Sequence, residues 1–158
     1  MLPLSSFDRR RTLDAEIVID APQHLIWNIL VDLDCYAEWN PFTYGYSGAF
    51  VVGGHFKLNV RMTDKFKLRS PEIVHLIEPP DRLAWCGDYP RWLVAATRYQ
   101  VLTPLSPTQT HYQTWETFRG LLGVIVVLTL GKNIERGFQD AAVALKARAE
   151  QRYTPDNR

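Results

Sequence analysis

The spacing of hydrophobic and polar positions changes twice along the chain. Near the N-terminus, a β-branched run at 15–20 predicts a strand. The apolar positions that follow recur at helical spacing and predict an amphipathic helix over 22–31. A second short helix is expected at about 33–38, because Pro41 disfavours helical geometry at the residue before it.

The central part of the chain has a period of two, which is typical of strands with one buried face. In the clearest segment, Phe56, Leu58 and Val60 share one face, and charged or polar residues share the other. Short strands separated by Gly and Pro turns predict an antiparallel meander, with a break at 104–107. The expected strands are 43–50, 55–62, 66–77, 82–87, 93–103 and 109–118.

The C-terminal segment returns to helical spacing and predicts one long helix over about 120–151, with Ile134, Phe138 and Leu145 on its buried side. Its first half is apolar on nearly every side, so we expect that half to be deeply covered. We predict one α+β domain over 13–151, with a loose leader at 1–12 and a frayed tail at 152–158. A bent sheet that buries its apolar face on one helix leaves a gap, and that gap is a cavity.

Composition narrows the function classes. The chain has 158 residues, 46% of them hydrophobic, which is ordinary for one domain. A net charge of +1 gives no support for a nucleic-acid partner. Two cysteines argue against a disulfide framework or a cysteine-rich zinc site, and four scattered histidines show no metal-ligand spacing. We therefore expect no metal and no cofactor. The N-terminus lacks the charge order of a secretory signal, which favours a cytoplasmic protein.

Several segments occur in the order of a known family and together cover roughly residues 13–151. They are Ile17–Pro22 with Trp27, Leu33–Pro41, Val52–Gly54, Leu83–Gly87, Glu116–Gly120 and Ala144–Glu150. With them the chain resembles the START-like, Bet v 1-like superfamily, in particular its bacterial polyketide cyclase/dehydrase-like (SRPBCC) branch. The resemblance implies a helix-grip fold of six to seven strands around a largely apolar cavity. Members bind lipids, sterols, polyketides or other apolar ligands, and some cyclise or dehydrate them.

Polar candidates lie on the last predicted strand. By the family pattern, Glu116 belongs to the concave side, and the alternation places Tyr112 on the same face. A buried carboxylate needs a partner or a raised pKa, and Arg98 on the preceding strand is a cross-strand partner. Either Glu116 and Arg98 form a structural pair, or Glu116 orients a ligand or acts as a general acid or base with Tyr112. A register shift of one residue would invert this face assignment.

The apolar lining is predicted from the alternating strands and from the long helix, and the cavity wall doubles as the core. Trp39 and Phe42 follow the second short helix, where the resemblance implies an entrance, and they are candidate gate residues. The other expected lining residues are Phe56, Leu58, Val60, Leu83, Trp85, Tyr99, Val101, Val124, Val127 and Leu128.

Three functions remain open at this point. The first is non-catalytic binding of a hydrophobic or amphipathic small molecule of lipid, quinone or polyketide type, as a carrier or sensor. The second is a polyketide cyclase/aromatase or dehydratase that uses Glu116 or Tyr112. The third is a membrane-associated accessory protein that delivers a hydrophobic cofactor, suggested by the apolar run at 121–130 and the arginines at 9–11. No catalytic motif, ligand identity or oligomeric state follows from the residues.

Overall fold

A computed structural model describes residues 12–153. The predicted leader therefore lies outside the described residues, except for Thr12, which begins the first strand. The tail prediction was wrong where it can be compared: the last helix includes Arg152, and Tyr153 packs against the core with its N–H donated to the carbonyl of Ala149.

The described residues form an α+β domain with seven strands and three helices, as expected. The strands are β1 (Thr12–Ile19), β2 (Thr43–Gly48), β3 (His55–Arg61), β4 (Lys67–Glu78), β5 (Arg82–Gly87), β6 (Ala95–Ser106) and β7 (Gln109–Arg119). The helices are α1 (Gln23–Val31), α2 (Tyr36–Trp39) and α3 (Gly123–Arg152), with a 3₁₀ turn at Leu33–Cys35.

One antiparallel sheet contains all seven strands in the order β1-β7-β6-β5-β4-β3-β2. Strands β2 to β7 form the predicted meander, and β1 pairs with β7. The expected break at 104–107 was placed too early, because β6 continues through Pro104 to Ser106. The ladder is irregular between these two residues. An irregular ladder accommodates a proline, which has no N–H to donate.

Helix α3 packs along the sheet and completes the core, as the sequence predicted. Ile134, Phe138 and Leu145 are buried, and Gly131 lies against Leu13 of β1. Farther along, the ammonium of Lys146 donates to the carbonyl of Val18 at 2.8 Å. The sheet therefore contacts α3 mainly through the edge strand β1 and through β7.

The expectation that the first half of α3 is deeply covered was wrong. Leu128 is 79% exposed and Ile125 is 53% exposed, and Leu121, just before the helix, is 70% exposed. Only one side of this half faces the protein, with Val126 and Leu130 packed against the core. A single sheet covers only one face of a helix, so an all-apolar sequence leaves an apolar surface on the other.

Candidate ligand-binding cavity

A cavity of about 230 Å³ lies between the concave face of the sheet and α3. Its walls are mainly apolar and come from β3 to β7 and from the inner side of α3. Of the predicted lining residues, the structure brings together Phe42, Leu58, Val60, Trp85 and Glu116. The helix contributes Val126, Leu130, Ile134 and Phe138, which sequence reasoning did not assign to the lining.

Two predicted lining residues lie on the opposite face of the sheet. Tyr99 is only half-buried and stacks on Trp115, with ring centroids 5.4 Å apart. Val101 shares its face, because the concave residues of β6 are Ala96, Arg98, Gln100 and Leu102. The prediction was wrong because strand alternation cannot place both Arg98 and Tyr99 on one side.

Other predicted residues lie close to the cavity without lining it. Phe56 and Leu83 are buried on the concave face outside the cavity, and the Phe56 ring meets that of Trp85 edge-on at 5.9 Å. Val127 is partly buried, whereas Val124 and Leu128 on α3 are exposed, so the helical part of the predicted lining was placed on the wrong residues. The choice failed because an all-apolar helix does not reveal its inner face from sequence.

The two predicted gate residues have different surroundings. The ring of Phe42 borders the cavity on one side and a second, more polar surface groove on the other. Trp39 does not line the cavity; its ring packs edge-on against Tyr36 at 5.1 Å. Met62 also borders both spaces, so a movement of Phe42 or Met62 would join the groove to the cavity.

Arg98 supplies a buried positive charge to the cavity wall. In the strand register it lies directly opposite Glu116 on one side and Trp85 on the other. Its Nε donates to the hydroxyl of Thr114 at 3.2 Å. The guanidinium carbon lies 4.1 Å from the ring centroid of Phe138 and 5.5 Å from that of Trp85. Aromatic faces thus stabilise a cation that is largely removed from water.

Sequence reasoning missed a second carboxylate, that of Glu72 on β4. Glu72 is buried, lines the cavity, and accepts a hydrogen bond from the hydroxyl of Ser70 at 2.7 Å. The signal was present, because Leu68, Ser70 and Glu72 alternate on one face of the predicted strand. The cavity therefore contains two carboxyl groups and one guanidinium.

Burial shifts the protonation of both carboxyl groups. It raises the pKa of Glu72 to about 8, and the negative charge of Glu116 adds to this rise, while the Ser70 hydrogen bond and Arg98 oppose it. Burial also raises the pKa of Glu116 to about 7, against the lowering effect of Arg98. Near neutral pH the pair can both hold and release a proton.

Tyr112 does not line the cavity, although it lies on the predicted face. It is buried, and its hydroxyl donates to the side-chain carbonyl of Gln100 at 2.6 Å. Burial raises the pKa of the Tyr112 hydroxyl. The chemistry that the cavity offers is therefore carried by Glu72, Arg98 and Glu116.

We expect the free energy of unfolding to fall as pH rises from about 4.5 to about 8. In this range the unfolded state ionises its glutamates while the folded state keeps the protons, so the folded state binds more protons and loses stability with pH. The slope is about 1.4 kcal/mol per pH unit for each proton involved. Urea titrations of Glu72→Gln should show a flatter pH dependence. The control Glu135→Gln, on the part of α3 that borders β1, should retain the wild-type slope.

Comparison with known proteins agrees with this geometry. A START superfamily protein from Mycobacterium smegmatis superposes with a TM-score of 0.70 at 20% identity, covering 90% of this chain and 99% of that one. The Zhui aromatase/cyclase from Streptomyces sp. R1128 superposes with a TM-score of 0.71 at 17% identity, covering 93% and 98%. The chain has a START-like helix-grip fold.

Similarity to known proteins is weaker in sequence than in fold. "Oxopyrrolidines biosynthesis cluster protein O" of Penicillium oxalicum is 26% identical over 162 residues, covering 78% of this chain and 79% of that protein. No protein-family model matches the chain. Within residues 12–153, no helix is long and apolar enough to cross a membrane. The same residues contain no cluster of three or more side chains suited to a metal ion.

Proposed function

We propose that the protein binds a compact, mainly apolar small molecule with one polar end in the cavity. The proposal rests on one observation: the cavity has apolar walls and a single cluster of polar side chains, formed by Glu72, Arg98 and Glu116. Ligand sites commonly combine apolar burial with a few convergent polar groups that fix orientation. The START-like proteins of the same fold support such a role.

The size of the cavity limits the ligand. At about 230 Å³ it is somewhat smaller than ligand pockets of roughly 300–1,000 Å³. A compact fused-ring molecule suits this volume better than a long acyl chain, unless Phe42 moves and adds the neighbouring groove. Among lipid, quinone and polyketide ligands, the cavity thus favours a compact ring system.

Ala96→Leu is expected to weaken ligand binding at least about tenfold, equivalent to about 1.4 kcal/mol. Ala96 is buried and lines the cavity, so a larger side chain there occupies ligand space. Binding can be measured by fluorescence titration with the neutral apolar dye Nile red. The matched control is Ala95→Leu, because Ala95 is the neighbouring residue on the opposite face of β6.

Mass spectrometry of an organic extract from natively purified protein should identify a compound that competes with Nile red. If the extract is empty and the dye does not bind, the cavity is only a packing gap. Equal dye binding by Ala96→Leu and Ala95→Leu would also contradict the proposal.

Catalysis of a cyclisation or dehydration is a second candidate, favoured by the two carboxyl groups with raised pKa values. An ionised carboxylate can remove a proton from a carbon next to one substrate carbonyl, while a protonated carboxyl donates to the oxygen of a second carbonyl. In an aldol closure the carbanion forms the new carbon–carbon bond to the carbon of that second carbonyl, its C=O π bond breaks, and its oxygen takes the donated proton and becomes a hydroxyl. The aromatase/cyclase of the same fold supports this candidate.

Glu116→Gln tests this candidate, with a synthetic poly-β-ketone thioester as substrate. We expect turnover to fall at least about tenfold while Nile red affinity is retained, since glutamine keeps the shape but cannot exchange the proton. Glu135→Gln serves as the control on the same helix-grip scaffold. Wild-type turnover in Glu116→Gln would remove this residue from the mechanism and leave the binding function intact.

A further inference from the structure

Exposed large apolar side chains are concentrated at one end of the molecule. Six of them occur in the β5–β6 loop and at or just before the start of α3, and these two segments lie at the same end of the antiparallel sheet. We call this surface the apolar end and define it as Tyr89, Trp92, Leu121, Val124, Ile125 and Leu128. Trp92 is 71% exposed, which is unusual for the largest apolar side chain.

Hydrogen bonds hold the two segments together. The N–H of Leu121 donates to the carbonyl of Trp92 at 2.9 Å, which fixes the start of α3 beside the β5–β6 loop. The N–H of Leu122 donates to the carbonyl of Leu93 at 2.9 Å and adds a second bond between the same segments. The backbone that carries the apolar end is therefore held in place by hydrogen bonds.

The apolar end is continuous with the cavity. Tyr89 is part of both, and Val126 and Leu130 line the cavity from the segment of α3 that exposes Ile125 and Leu128. An apolar ligand that leaves the cavity at Tyr89 would therefore meet the apolar end before it meets bulk water.

Charge around the apolar end is positive. Arg91 and Lys132 are exposed in or beside its segments. Residues 117–134 contain no aspartate or glutamate, and the one acidic residue of the β5–β6 loop, Asp88, is paired with His55. Exposed aliphatic residues with Trp, Tyr and basic residues match the chemistry of an anionic membrane interface.

We propose that the apolar end docks on the surface of an anionic lipid bilayer and places the Tyr89 side of the cavity against it. Leu121, Ile125 and Leu128 insert among the acyl chains, and Trp92 lies at the headgroup level. The basic residues add electrostatic attraction that salt screens. This docking does not depend on the proposed ligand, because it uses only exposed side chains.

Vesicle flotation of the full chain tests docking, with phosphatidylcholine vesicles that either contain or lack phosphatidylserine. The wild type should float with the anionic vesicles and release at high salt. Leu128→Glu should lower the partition coefficient at least about tenfold, since a carboxylate replaces an inserted leucine. The matched control is Val143→Glu, because Val143 is an exposed apolar residue about four turns farther along the same helix.

Trp92→Ser should weaken flotation independently of α3, and Nile red binding should be unchanged in all three variants. Absence of flotation, or equal loss in Val143→Glu and Leu128→Glu, would overturn the proposal. Analytical ultracentrifugation distinguishes membrane docking from self-association of the chain through the apolar end. If the wild type self-associates, Leu128→Glu is monomeric, and neither floats, the apolar end is a contact between copies of the chain and the membrane proposal is wrong.

Discussion

Replacing Arg98 with methionine is expected to lower the free energy of unfolding by roughly 3–5 kcal/mol at neutral pH. The substitution keeps an unbranched side chain, two atoms shorter than that of arginine, but removes the buried cation that lies over Phe138 and Trp85. It also leaves Glu72 and Glu116 without the positive charge that opposes the rise of their pKa values. Breaking a buried charge arrangement costs more than removing it entirely, because one partner stays uncompensated.

The loss should depend on pH. At pH 5 both cavity carboxyls are protonated in the folded protein, so removing Arg98 leaves no unpaired negative charge and the deficit is smaller. At pH 8 the carboxyls must either ionise without a cation or hold their protons at a cost. Chemical denaturation of wild type and variant at the two pH values measures the difference.

Two further variants make the Arg98 prediction specific. Arg69→Met removes an exposed arginine of β4 and should cost less than about 1 kcal/mol. Glu72→Gln added to Arg98→Met should recover part of the stability, because it removes one of the uncompensated carboxyls. A deficit that equals that of Arg69→Met, or that is the same at both pH values, would show that the three groups do not act together.

The fold could be predicted because its signals are local. The alternation at Phe56, Leu58 and Val60 fixes the concave face of β3, and the spacing of Ile134, Phe138 and Leu145 fixes the inner face of the second half of α3. The first half of α3 carries no such contrast. Which side of this half is buried depends on where the sheet packs against it, and that is determined by the tertiary structure.

The candidate site was predictable only in part, for a related reason. Glu116 and Arg98 could be paired because they lie on strands joined by a short turn. Glu72 lies on β4, and its approach to Glu116 depends on the bending of the whole sheet across β5 and β6. Tyr99 and Val101 were predicted to line the cavity, although alternation from Arg98 excludes both. Strand geometry alone was sufficient to place them on the other face.

Gly137→Ala is expected to lower the free energy of unfolding by about 1–3 kcal/mol. In a helix interior, replacing glycine with alanine normally raises that free energy by about 1 kcal/mol. A Cβ built at Gly137 lies 2.1 Å from Cδ2 and 2.4 Å from Cε2 of Phe42. The Phe42 ring is itself buried against Phe138, with centroids 5.7 Å apart. Gly137 is therefore the place in α3 that admits the ring separating the cavity from the outer groove.

The helix supplies its own control, because Gly131→Ala places a Cβ 3.6 Å from the nearest atoms of Leu13 and Val127. This is an ordinary contact, so Gly131→Ala should stabilise the protein or leave it unchanged. Thermal or urea denaturation of the two variants compares the same substitution in the same helix with opposite expected signs.

Nile red titration of Gly137→Ala then tests the role of Phe42. If the ring yields to the new methyl group by turning inward, it takes up cavity space and the affinity for the dye falls. Phe42→Leu combined with Gly137→Ala should restore both stability and dye binding, since the smaller side chain relieves the contact. Equal stability of Gly137→Ala and Gly131→Ala, with unchanged dye affinity in both, would mean that Phe42 moves freely and does not wall the cavity.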